Sequence, residues 1–479
     1  MSSETAKKRK RDGGGDEEPG RSGGGAGVEK VVAEMKTQMT RMENRMGELE
    51  RKCSSLETSL ADAKGKCEFF EARCESLEST VQVLIKEQKW EYSAPTIPTS
   101  HWVDQGFNED YIEWMELFLR EIKAKTCALR SGLCSHNDID LGGANDMVLR
   151  HNDALLPHWK EFATALQLYQ NPEEISLSFS NMQLLPAVMN LLTPALKQKL
   201  HLFKLCNNEF ANTSEGIEFA IKVIHSNQKM ETLRWVNNPI ENMGGANRLI
   251  EAITSHPVID HIRLENCFGE NANAYELLRV LFAGNKQFIH IDLDSNNLRI
   301  GGFTEIPDLL VTNPPLKDLF LENNLLDDKD ALQIAHALKQ NTKLQNISLG
   351  QNDITDIGRD ALRNVIFDTT SLNTVANSNH SCSIEGLGFE GYNDVDFHVD
   401  NPYARRGKKI YSLLTSRHRE GINVRHLNSE FDDESLKLVP KVLESVHHYD
   451  TYTIPGARNR VHPLSLIYEI LRGWKMPTL

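Results

Sequence analysis

The sequence has no apolar run approaching the 18 or so residues that a membrane-spanning helix requires, and its start carries no signal-peptide core. It has no CxxC pair. Its eight cysteines, Cys53, Cys67, Cys74, Cys127, Cys134, Cys206, Cys267 and Cys382, are too dispersed for a disulfide framework. A reducing compartment, cytoplasmic or nuclear, with free thiols is expected. Positive charge is scarce. Against 67 Asp+Glu stand 53 Lys+Arg, and the formal net charge of −14 makes nucleic acid a poor partner. Recognisable catalytic motifs are missing as well: there is no GxxxxGKS/T, no GxSxG and no HExxH. Gly386-Leu-Gly-Phe-Glu-Gly391 matches GxGxxG but lacks a βαβ setting. Asp292-Leu-Asp-Ser-Asn296 opens like a calcium loop, yet its sixth position is Asn297 and its twelfth is Phe303. Beyond the isolated His447-His448 pair, the histidines show no metal spacing. These absences predict no enzyme activity, no cofactor and no metal. What remains is a chain that is 40% hydrophobic, enough for a large core.

Residues 1–27 are polar, Gly-rich and free of aromatics, and are expected to be a disordered tail. The basic cluster from Lys7 to Arg11 reads either as an import signal or as a solvated charge run.

Residues 28–90 carry the strictest pattern. From Val32, alternating steps of three and four land only on apolar residues or Cys through Leu84. The period predicts a coiled coil, with Met42, Leu49, Leu56, Leu60, Phe70, Leu77, Val81 and Leu84 among its self-association contacts. With Val32 at position a, Arg45–Glu50, Lys52–Glu57, Lys66–Glu71 and Arg73–Glu78 become g-to-e pairs of opposite sign. That arrangement favours identical parallel helices, a homo-oligomer, over an antiparallel hairpin or a different partner helix. Cys53, Cys67 and Cys74 all fall on position a, where a buried thiol is favoured over a redox staple.

Residues 91–171 read as linker and N-terminal cap. They contain a helix over roughly Glu109 to Thr126, a short strand at Ile139 to Leu141 and a helix from Leu155 to Leu166. Residues 172–375 repeat seven to eight times. Leu344, Ile347, Leu349, Asn352 and Ile354 set the template. Leu316/Leu319/Leu321/Asn324/Leu326, Phe288/Ile291/Leu293/Asn296/Leu298, Ile259/Ile262/Leu264/Cys267, Met230/Leu233/Trp235/Asn238/Ile240 and Leu200/Phe203/Leu205/Asn208/Phe210 fit it, at steps of 28 to 30 residues. Pro172/Ile175/Leu177/Ser180/Met182 is a weaker unit, and a degenerate one is expected at Leu372 and Val375.

The pattern LxxLxLxxNxL resembles the leucine-rich repeat of the ribonuclease-inhibitor type. The resemblance implies a curved α/β solenoid, a horseshoe, with strands on the inner side and helices outside. Residues 376–479 would then be a C-terminal cap with satellite helices. In that segment Ile422-Asn-Val424 suggests an edge strand, the basic run Arg405 to Lys409 a loop surface, and Leu464 to Trp474 a docking segment.

Residues alternating with the core leucines should face out of the strands. Their central column reads Ser176, Lys204, Arg234, Arg263, Asp292, Phe320, Ser348. A cationic band (Lys204, Arg234, Arg263) passes through His261 and His290 into an anionic band (Asp292, Asp294, Asp318, Glu322) with Phe320 inside it. Such a dipolar concave face would orient a protein ligand. The expected function is a non-catalytic interaction scaffold. The alternatives are a regulator of another enzyme, GTPase-activating or inhibitor-like, by analogy with similar repeats, or a cytoskeletal interaction protein.

Overall fold

The computed structural model describes residues 26–87, 90–132, 137–142, 147–169, 175–268, 274–282, 286–299, 304–388, 401–430, 439–451 and 463–473. The basic cluster Lys7 to Arg11, and Trp474 at the end of the expected docking segment, lie outside them. The chain divides into two compact units, residues 1–91 and 92–479.

In the first unit, α1 (Ala26–Glu87) is one uninterrupted helix of 62 residues, roughly 90 Å long. Ion pairs between neighbouring turns, Lys52–Glu48 at 2.9 Å and Lys66–Asp62 at 2.7 Å, support it. Its apolar residues Met35, Met39, Met42, Met46, Leu49, Leu56, Leu60 and Phe70 are each more than half exposed in the single chain. The side chains of Leu77, Val81 and Leu84 lie outside the described set.

The second unit is α/β. Helices α2 (Thr99–Asp104), α3 (Glu109–Ser131) and α4 (Leu156–Leu168) accompany the first strand, β1 (Asp138–Leu141). Strand and helix then alternate: β2 (Ile175–Ser180), α5 (Pro186–Ala195), β3 (Leu200–Cys206), α6 (Thr213–Ser226), β4 (Thr232–Val236), α7 (Met243–Ser255), β5 (His261–Glu265), α8 (Ala274–Phe282), β6 (His290–Asp292), α9 (Glu305–Val311), β7 (Asp318–Phe320), α10 (Asp328–Leu338), β8 (Asn346–Ser348), α11 (Asp356–Ile366), α12 (Leu372–Asn377) and β9 (Ser383–Glu385). Among the described residues these nine strands form a single sheet in sequence order, every neighbouring pair parallel. That order is what a repeat solenoid requires, because each crossover helix returns the chain beside its own strand.

One face of the sheet is dry. Leu205, Trp235, Leu264, Leu293, Leu321 and Leu349 share a buried cluster with Val223, Leu249, Ile306, Ile334 and Leu362 from the helices. Burial of this kind is worth about 1.5–3 kcal/mol per large side chain. Four template asparagines, Asn238, Asn296, Asn324 and Asn352, satisfy backbone groups beneath it, whereas the buried side-chain amide of Asn208 has no partner among the described residues. Asn238 Nδ2 donates to Leu205 O at 2.9 Å, and its Oδ1 accepts from Asn208 N at 2.7 Å. Asn296, Asn324 and Asn352 repeat the arrangement between successive turns. At the opposite end of the strands Asn227, Asn341 and Asn379 accept backbone N–H groups in the same manner, and His256 replaces an amide. Its Nδ1 accepts from Ile259 N at 3.1 Å while Nε2–H donates to Asn227 O at 3.0 Å. Burial holds this imidazole below its ordinary pKa, as the neutral tautomer requires.

The turns out of β2 to β8 pass through a left-handed residue, Asn181, Asn207, Asn237, Asn266, Ser295, Asn323 or Gln351, with φ between 46° and 60°, and the turn after β6 has a second in Asn297. Asn tolerates this region better than most side chains. In every repeat from Asn207 onward the residue directly precedes the ladder position. Asn181 therefore assigns that position in the first repeat to Met182, and Ser180 is not the asparagine equivalent. Leu177 and Phe179 pair with Phe203 and Leu205. The first unit is thus displaced by two residues from its sequence reading, because β2 carries an additional buried apolar residue, Ile175, ahead of a register shift.

The far end differs in three places. Leu372 and Val375 lie on α12, and the last strand is Ser383–Glu385. Gly386, the first glycine of the GxGxxG match, serves packing: at φ 83° a Cβ would meet the Gly350 backbone at 2.5 Å. Ile422-Asn-Val424 is no strand, since Asn423 begins a helix. The helices α13 (Pro402–Arg419), α14 (Asn423–Glu430), α15 (Val439–Thr451) and α16 (Pro463–Gly473) build a second core from Leu372, Ile410, Leu414, Leu427, Val442, Leu466 and Ile470. Burying Leu427 in that core overrides the β-branched local pattern. The Arg405–Lys409 run is helical and partly buried. Lys409 Nζ donates to Ile366 O at 2.5 Å and Asn379 O at 3.0 Å, and Arg405 Nη1 to Ser381 O at 2.9 Å, tying α13 to the end of the array. Beside them His380 is pushed down to about 3, by burial first and then by Lys409 and Arg406.

Candidate interaction face

The sheet face away from the helices carries the side chains that alternate with the core. Strand register fixes their columns. The central one runs Asp140, Ser178, Lys204, Arg234, Arg263, Asp292, Phe320, Ser348, Glu385, each opposite the next. Ser178 takes the place expected for Ser176, which falls opposite Leu202 in the column alongside. Lys204, Arg234 and Arg263 are therefore consecutive neighbours on β3, β4 and β5.

The second column brings Thr232, His261, His290, Asp318 and Asn346 together. The His261 and His290 rings stack with centroids 5.9 Å apart and planes within 15°. His290 also meets the Phe320 ring at 5.1 Å. Each imidazole has a carboxylate beside it: Asp260 lies 2.6 Å from His261 Nδ1, and Asp318 lies 3.5 Å from His290 Nδ1. Asn346 Nδ2 donates to the other oxygen of Asp318 at 2.7 Å. Thr232, Arg234, His261, His290, Asp292 and Phe320 line a notch that opens to solvent.

The two charge bands meet at Arg263, and there they cancel. Its Nε donates to Glu265 Oε2 at 2.7 Å and lies 3.1 Å from Asp292 Oδ2. Burial works against this cation, but Asp292 and Glu265 more than offset it, so its proton is held more tightly than usual. Arg263 is thus an internal clamp and no longer a free binding cation. Lys204 and Arg234 differ, for neither has an ion-pair partner among the described residues.

The anionic side is crowded. Asp292 is only 3% exposed, and burial raises its carboxyl. Asp294 is raised to about 7 by burial first, then by Asp292. Its Oδ1 accepts from Glu322 N at 2.6 Å, and Glu322 Oε2 accepts from Ser348 Oγ at 3.1 Å. The protonated form of Asp294 contributes stability in acid that is lost as pH rises through about 7.

Sequence periodicity put Lys204 to Ser348 in their central column but not Asp140, Ser178 or Glu385, and it did not show the links among the face residues. Asp260, outside the alternating columns, was missed, and no spacing signal marks it. Among the described residues no group of three or more His, Cys, Asp or Glu side chains is arranged to hold a metal ion. No described helix is long and apolar enough to cross a membrane.

No family model matches the chain. Two curated proteins are distantly similar to it. NACHT, LRR and PYD domains-containing protein 14 of Homo sapiens is 27% identical over 195 residues, 40% of this chain and 18% of that protein. NACHT, LRR and PYD domains-containing protein 9 of Bos taurus is 26% identical over 236 residues, 48% of this chain and 22% of that protein. The chain spans about a fifth of the length of these relatives. Both carry leucine-rich repeats in their names.

Proposed function

We propose that the chain is a non-catalytic interaction scaffold. It self-associates through a parallel coiled coil formed by residues 28–90. Each copy binds a protein ligand on the concave face of a leucine-rich-repeat horseshoe of the ribonuclease-inhibitor type. Several faces held together raise avidity beyond that of one site. The observation that carries this reading is the face itself: cations, stacked imidazoles and a phenylalanine stand in register on the side of the sheet that no core side chain covers. Arg and aromatic residues are the usual energetic anchors of such contacts. The work is placed in the cytoplasm or the nucleus.

Full-length chain carrying Lys204→Glu, Arg234→Glu and Phe320→Ala tests it. These side chains are partly or fully exposed, so the fold should survive. Arg263 and Asp294 are poor probes, because both hold the sheet face together. The expected result is a protein with unchanged circular dichroism that releases the ligand retained by the unaltered chain. Equal retention by both proteins would refute the assignment.

A further inference from the structure

The two cations without ion-pair partners define what the ligand must bring. Lys204 and Arg234 are register neighbours on β3 and β4, with their backbones about 4.8 Å apart. Like charges placed directly opposite one another in a sheet repel. The chain is rich in carboxylates, with a formal charge of −14, yet none pairs with either cation among the described residues. On β3 and β4 themselves their flanking columns are neutral, Leu202 and Thr232 on one side and Cys206 and Val236 on the other, with Ser178 on β2; on β5 the cation Arg263 stands opposite Arg234, and Glu265 opposite Val236. Arg263 on the next strand shows the contrast, because Glu265 and Asp292 both attend it. Beyond Arg234 the face changes character, first to the notch with its Phe320 ring and then to the carboxylates of Asp294 and Glu322.

We infer that the ligand docks through an acidic peptide segment, of the form acid-x-acid-x-aromatic, whose two carboxylates bridge Lys204 and Arg234 and whose aromatic side chain enters the notch beside Phe320. This rests on the interaction-face reading above and specifies its partner. An extended chain advances about 3.3 Å per residue. A segment crossing the strands therefore brings residues i and i+2 over β3 and β4, and residue i+4, about 13 Å on, over the notch at β5 and β6. The placement is fixed, acids over β3 and β4 and the aromatic over the notch, because the opposite placement would bring the carboxylates toward Asp294 and Glu322; either chain direction meets it.

A fluorescein-labelled peptide containing Glu-Ser-Glu-Ser-Phe is titrated against the full-length chain by anisotropy, beside its Gln-Ser-Gln-Ser-Phe and Glu-Ser-Glu-Ser-Ser forms. The first should bind at least ten-fold more tightly than either, and the margin over the Gln form should shrink as salt is raised. Lys204→Gln/Arg234→Gln should erase the preference over the Gln form. Lys222→Gln/Lys339→Gln, on the helical side, should leave it intact. Equal binding of the three peptides, or a preference over the Gln form that survives Lys204→Gln/Arg234→Gln, overturns the inference. If that happens while the triple variant above still releases the native ligand, the acidic-segment inference fails alone. If the triple variant also retains the ligand, the interaction-face reading fails with it.

Discussion

Glutamate at both Leu49 and Leu56 will reduce the protein to single copies of 54.2 kDa, measured by light scattering on the full-length chain. The two leucines are 61% and 69% exposed on α1, so the substitutions disturb nothing within one copy. Glutamate is also a better helix former than most residues, and the helix should persist. Between copies the effect is large. Each leucine buried at a seam contributes about 1.5–3 kcal/mol, and both copies contribute. The variant replaces that burial with two carboxylates from every copy facing their counterparts in a dry seam, where unpaired charge is costly. Reversing Glu50 and Glu57 to lysine should weaken association far less, since exposed pairs contribute about 0.2–1 kcal/mol. A mass unchanged by the leucine substitutions would remove the coiled coil from the account.

The second large effect is in the C-terminal helices. Arg417 and Glu430 are almost wholly buried and meet through two contacts, at 3.0 and 3.1 Å. Arg417 Nη2 also donates to Thr370 O at 3.1 Å. Arg417→Met strands the Glu430 carboxylate in a dry site and should cost about 3–5 kcal/mol in urea unfolding. Adding Glu430→Leu should recover most of that, because the pair's desolvation cost disappears with its attraction. Nearly additive losses would show instead that each side chain acts through its own separate contacts.

The repeats were legible because one alternation is strict. Leu233 and Trp235, Ile262 and Leu264, Leu319 and Leu321 all point to the core, and a two-residue period leaves no freedom in which residues face the other way. The first repeat misled for a physical reason. Ile175, Leu177 and Phe179 are all buried, so two registers satisfy the same apolar pattern, and only the left-handed Asn181 separates them. At the C-terminal end local preference was the wrong guide. Ile422 and Val424 favour a strand in isolation, but Leu427 packs into a helical core whose partners lie up to about fifty residues away in sequence. The charged run Arg405 to Lys409 looked solvated because sequence cannot show that Ile366 and Asn379 offer their carbonyls to Lys409. On the open face, positions were readable and pairings were not. Register alone places Arg263 among three cations, but side-chain rotation turns it toward Glu265 and Asp292.

The most direct measurement is a cross-linking map of the full-length chain with its native protein ligand bound, using an amine-to-carboxylate reagent. If the open face is where the ligand sits, Lys204 on β3 forms links to carboxylates of the ligand, while Lys222 on α6 and Lys339 after α10 form none. Links confined to Lys222 and Lys339, with Lys204 still reactive toward small reagents in the complex, would place the ligand on the helices and contradict the account.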